Sequence, residues 1–117
     1  MINVQAAKLG GTAYYRNTIS AALGTIVAPA ANTKGIRVRY ACVKSYSDVT
    51  RLMAKAAAPA NITEGVEILS AVVSTAGTNI NAVLQNEKII PPGLGLYEQS
   101  ANVVQESFVS VDYEVLA

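Results

Sequence analysis

Short stretches in which apolar and polar side chains alternate recur along the chain, and they predict strands rather than helices. The clearest runs from Lys34 to Tyr46. Ile36, Val38, Tyr40 and Cys42 fall on one face, with Arg37, Arg39 and Ala41 on the other. Turn residues bracket it: Ala31-Asn32-Thr33-Lys34-Gly35 before, and Ser45 to Asp48 after. A second strong run follows Gly65. Its sequence, VEILSAVVS, is apolar on both faces, which predicts a strand buried on both sides. The last strand covers Ser107–Leu116. Val109, Val111, Tyr113 and Val115 should face inward, and Ser110, Asp112 and Glu114 outward.

Other segments are less decided. Residues 18–28 read as a strand interrupted by Gly24 and ended by Pro29. In 49–58 alanine and a capping Asp48 would suit a helix, whereas the alternation suits a strand; the surrounding pattern favours a strand over 49–55. Residues 79–87 also fit either element, with a strand slightly preferred. Ile89-Ile90-Pro91-Pro92-Gly93 must be an edge or a turn, because proline lacks the N–H a central strand needs. Leu94–Gln99 pairs with the final strand. The first 17 residues read as an arm: Gly10-Gly11 breaks regular structure and Tyr14-Tyr15-Arg16 follows. Adjacent tyrosines on an extended chain point to opposite faces, so one should contact something outside the body. The same segment could instead be the body's first strand.

Together these elements predict an all-β protein: an antiparallel β-sandwich, jelly-roll-like, over residues 18–117 behind an extended N-terminal arm over 1–17. A chain of 117 residues can bury roughly 65% of its unfolded surface and needs no staples. Charged residues make up only 15% of it, too few to cover the surface of a compact monomer. That deficit predicts a buried subunit surface. The net charge of +1 excludes the dense basic face of a free-standing nucleic-acid binder. The N-terminus lacks the apolar core of a signal peptide, and no stretch approaches the roughly 20 apolar residues that span a bilayer. Asn61-Ile62-Thr63 matches a glycosylation triplet, which means nothing without secretion.

Candidate chemistry is sparse. The chain has no histidine, so neither serine nor Cys42 has the usual base beside it. Cys42 is the single cysteine and reads as a small buried hydrophobe. Asp112 and Glu114 share a strand face, yet one such pair at a strand end is ordinarily solvent-facing. Gly93-Leu94-Gly95 lacks the lysine and the following helix of a phosphate loop. No catalytic, cofactor-binding or metal-ligating residue is assigned, and the chain reads as a non-enzyme. The partner-contact candidates are Tyr14, Tyr15 and Arg16, with Arg37 and Arg39. The last two stand about 7 Å apart along one strand face, where Glu67, Asp112 or Glu114 could also lie opposite them.

Four segments carry a family resemblance: Gly35-Ile36-Arg37-Val38-Arg39-Tyr40-Ala41, Arg51-Leu52-Met53-Ala54-Lys55, Ile89 to Tyr97 (IIPPGLGLY), and Val109 to Leu116 (VSVDYEVL). Over residues 34–117 the chain resembles small virion proteins of tailed bacteriophages that decorate or cement the head. The resemblance implies a β-sandwich, commonly a homotrimer, made in the host cytoplasm and bound to the major capsid protein on the capsid surface. It implies that capsomers are bridged against internal DNA pressure, without direct contact to nucleic acid or membrane, and it carries over no active-site residue. A receptor- or carbohydrate-binding sandwich of a tail or head fibre is the alternative, and a shell-forming coat protein is the third.

Overall fold

The computed structural model describes residues 12–18, 22–46, 48–62, 64–73, 80–101 and 107–117. Residues 1–11 of the expected arm lie outside these, as do residues 19–21, Ser74 and Asn79 of the expected strands, Ser47 of the expected turn and Thr63 of the glycosylation triplet. Nine strands run in chain order: β1 Thr12–Thr18, β2 Leu23–Val27, β3 Ile36–Ser45, β4 Asp48–Lys55, β5 Val66–Val73, β6 Ile80–Val83, β7 Lys88–Ile90, β8 Gly95–Ser100 and β9 Phe108–Val115. They pair antiparallel into two sheets. The first has the order β1-β9-β3-β6, with β7 also on β3; the second has the order β2-β8-β4-β5. β8 therefore does not form the expected pair with the final strand but lies in the other sheet, between β2 and β4. The protein is an all-β sandwich of two packed antiparallel sheets. The described part of the expected arm is β1, which pairs along its whole length with β9.

The core is aliphatic and drawn from both sheets. Ile36, Val38, Ala41, Val43, Val109 and Val111 of the first meet Leu52, Ala54, Ala71, Leu96 and Val27 of the second. Burying each of the Val, Leu and Ile side chains contributes roughly 1.5–3 kcal/mol. One end of this core is closed by hydroxyls. Thr50 donates to Ser45 Oγ at 3.2 Å and lies 3.3 Å from Ser100 Oγ, while Ser45 donates to the Asp48 carbonyl at 3.0 Å. Those bonds hold the reversal from β3 to β4, in which Asp48 takes the left-handed conformation that aspartate tolerates.

Three expectations of orientation need correction. In β3 the alternation changes phase: Val38 pairs with Tyr113 but Tyr40 with Asp112, so Arg39 is an extra residue. This bulge turns Ala41 and Val43 into the core and leaves Tyr40 exposed and Cys42 half-buried on the outer face. β5 is not buried on both sides. It is an edge strand, and Val66 and Val72 are 62% and 61% exposed. Val115 shares the expected inner face with Ile36, its partner in the register, but at the end of β9 it is exposed rather than buried.

Glycine permits a close approach within β2. A Cβ on Gly24 would stand 2.8 Å from Glu98 Cδ, so the missing side chain of β2 is what lets the buried Glu98 lie against it.

Candidate interaction surfaces

The register gathers a set of polar and aromatic side chains on the outer face of the first sheet. Val109 and Val111 of β9 point inward, so Phe108, Ser110, Asp112 and Glu114 point outward. β1 places Tyr14 opposite Asp112 and Arg16 opposite Ser110. From the other side, β3 places Arg37 opposite Glu114, Tyr40 opposite Asp112, Cys42 opposite Ser110 and Lys44 opposite Phe108. Four of the five expected contact residues, Tyr14, Arg16, Arg37 and Arg39, thus come from two strands to one face. Tyr15 goes the other way and packs against the core.

The arginines are not equivalent. Arg39 binds Glu114 at 2.8 Å, and Arg37 lies 3.7 Å from the same carboxylate oxygen and 3.6 Å from Glu87. The bond to Glu114 holds the Arg39 guanidinium above its ordinary value. Exposed pairs of this kind contribute little stability, about 0–1 kcal/mol each, but they neutralise this end of the face. Arg16 has no such partner among the described residues. Its guanidinium sits 4.8 Å from the Phe108 ring centroid, and the Lys44 ammonium sits 5.8 Å from the same ring. Tyr14 shares a hydrogen bond with Ser110 at 2.9 Å. Phe108 and Lys44 are not apparent from alternation alone, because only the pairing of β9 with β1 and β3 brings both cations to one ring.

A second surface lies on the open side of the sandwich. Among the described residues eight large hydrophobic side chains are exposed, and five of them (Val66, Val72, Ile80, Val83 and Ile89) belong to β5, β6 and β7. Here the two sheets part to leave a groove of about 300 Å³. Val66, Glu67 and Ile68 line it from one sheet, Lys88, Ile89 and Ile90 from the other, and Ala54, Pro91 and Leu94 complete it. Among the described residues β5 pairs with β4 alone, so no described strand covers its second backbone edge.

The outer face of the second sheet is different, because residues 56–62, 64 and 65 fold over it. Arg51 of β4 is 3% exposed and is held by Gln99 Oε1, at 3.0 Å from Nε and 2.8 Å from Nη2; it also donates to the Glu64 carbonyl. Burial pushes its guanidinium below the ordinary value, opposed by the Glu67 and Glu64 carboxylates. Gly65 leaves this strap at a positive φ of 81°, with the Ala54 carbonyl and Met53 Cε where a Cβ would stand. Glu64 fastens the strap further, accepting from the Ala60 N–H at 3.1 Å and meeting Lys55 at 3.3 Å.

The Ala60 bond, followed by Lys55, holds the Glu64 carboxyl below the usual carboxylate range. Its contribution is therefore present above the unfolded value near pH 4.3 and is lost as pH falls through the lower folded value. An amide titration should show the Ala60 N–H resonance moving with a midpoint below that of an ordinary glutamate, and Glu64→Gln should abolish the movement. A midpoint at the ordinary value would refute the fastening.

Among the described residues no three His, Cys, Asp or Glu side chains lie together where they could hold a metal ion, and no helix is long and apolar enough to cross a membrane. No family model, curated protein or solved structure matches this chain.

Proposed function

We propose that this protein is a structural assembly subunit, one that associates with copies of itself through the open side of the sandwich and decorates a phage head. The observation that carries the reading is that five exposed aliphatic side chains belong to β5, β6 and β7, with Val66 and Ile89 lining the groove next to the edge of β5 that no described strand pairs. Soluble monomers protect such edges with charge or cover them. Here β5 and β6 supply one charged residue between them, Glu67. Burial of Val66, Ile89 and their neighbours against another subunit removes this apolar surface from water and satisfies the edge. The low charge of the chain agrees with a covered surface. The capsid as the target, and the homotrimer, come from the resemblance of residues 34–117 to head-decoration proteins. Several weak contacts per oligomer would then hold a capsomer by avidity.

Light scattering tests the self-association. The purified protein is expected at a multiple of its 12.2 kDa chain mass, a trimer on the decoration reading. The double variant Val66→Lys with Ile89→Lys is expected to be folded and monomeric. A monomeric wild type, or a variant that still assembles, would remove the open side as the subunit contact. Heads purified without the protein should take up the wild type; heads that refuse it would remove the capsid assignment while leaving the oligomer.

A further inference from the structure

We propose that Arg16 and Lys44, on either side of Phe108, form a binding site for a carboxylate carried by an acidic segment of a partner protein. β9 runs between β1 and β3, so Arg16 reaches the Phe108 ring from one neighbouring strand and Lys44 from the other. With both cations within 6 Å of one ring centroid, at 4.8 and 5.8 Å, the two charges lie within roughly one Debye length of each other at 0.1 M salt. Two like charges held this close repel each other, and the ring quadrupole only partly offsets that.

The other paired cations of the sandwich are answered by acids: Arg37 and Arg39 by Glu114, and Lys55 by Glu64. Among the described residues Arg16 and Lys44 meet the ring and no carboxylate at ion-pair distance. An arriving carboxylate would gain from both charges at once and could reach the guanidinium with two parallel hydrogen bonds. The ring beside it excludes water from one flank, and the exposed Tyr14 and Tyr40 offer further contact along the same face.

A protein carboxylate fits better than a phosphate chain. The next positions along this face are Asp112 and Glu114, so a nucleic-acid strand, charged at every nucleotide, would run from the two cations onto two acids. Asp112 already has an Oδ1 that is buried without a hydrogen-bond partner, and it gains nothing from more negative charge beside it. An acidic side chain bounded by apolar or neutral neighbours meets no such conflict. The site lies away from β5 and β7, whereas Lys44 pairs with Asn81 of β6, between the Ile80 and Val83 counted in the open side.

The test titrates the ¹⁵N-labelled full chain with a blocked tetraglutamate peptide and, separately, with an oligothymidylate. The expected result is saturable shifts at Arg16, Lys44, Phe108 and Ser110 with the peptide, weakening as salt rises. Arg16→Gln with Lys44→Gln should bind roughly tenfold less tightly while melting at the wild-type temperature, since both groups are on the surface. Absence of saturable binding, equal binding by the double variant, shifts centred elsewhere, or tighter binding of the oligothymidylate would each overturn the proposal. Because the readout is on the free chain, a failure here is separate from a failure to assemble or to bind heads.

Discussion

Arg51→Ala is expected to lower the stability of the fold by about 3–4 kcal/mol, a drop in Tm of roughly 10–15 °C for a chain of this size. The cost has three sources. Gln99 Oε1 loses both of its guanidinium donors, the Glu64 carbonyl loses a third, and a hole opens under the strap. Because Arg51 is buried, water cannot simply take its place in the folded protein. The partners matter more than the charge itself. Replacing the whole arrangement, Arg51→Met with Gln99→Leu, leaves no orphaned polar side chain and should recover most of the loss. Thermal unfolding of the two variants separates the explanations. If Arg51→Ala melts within about 1 kcal/mol of wild type, the arginine does not pin the strap. Faster proteolysis within residues 56–65 of Arg51→Ala is the local counterpart, since those residues cross the sheet on this anchor.

The strand content of this protein was legible from alternation, and its surfaces were only half so. β3 and β9 stand where the pattern put them, because they are rich in alternating Val, Ile and Tyr residues, and β4 stands where its all-β surroundings, rather than its own period, favoured a strand. What alternation cannot carry is a break in phase. The bulge at Arg39 is set by the register of β3 against β9, a strand some seventy residues away in the chain, and it moved Tyr40 and Cys42 from the core to the outer face. A run apolar on both sides likewise has two meanings. VEILSAVV is what a central strand would show, and equally what an edge strand would show if another subunit covers it. Only the sheet order, which leaves β5 beside β4 alone, distinguishes them. The tyrosine pair split between two faces as two adjacent strand residues must, but the pairing of β1 with β9 decided that Tyr14 went out and Tyr15 in. Glu114 was among the acids expected opposite Arg37 and Arg39, and the cross-strand register puts it there.

The second large effect is expected at Asn32, an apparently ordinary turn residue. Its side chain joins two turns that meet at one end of the sandwich. Nδ2 donates to the Pro91 carbonyl at 2.8 Å and to the Leu94 carbonyl at 2.9 Å, and Oδ1 accepts from the Gly35 N–H at 2.7 Å. Its own carbonyl accepts from the Gly93 N–H at 2.8 Å. Asparagine is suited to this because one planar group offers two donors and an acceptor. Asn32→Ala removes all three side-chain bonds and strands the buried Gly35 N–H, a loss of about 2–3 kcal/mol. Asn32→Asp is the sharper test. It keeps an acceptor for Gly35 but turns a carboxylate oxygen toward two carbonyls, so it should be no more stable than the alanine variant. Full recovery in the aspartate variant would show that the bonds to Pro91 and Leu94 contribute nothing. The consequence reaches beyond stability, because Pro91 and Leu94 also line the open groove. A chain whose clasp is broken loses the fixed position of that lining, so Asn32→Ala should dissociate to monomers at higher protein concentration than wild type, even below its melting temperature.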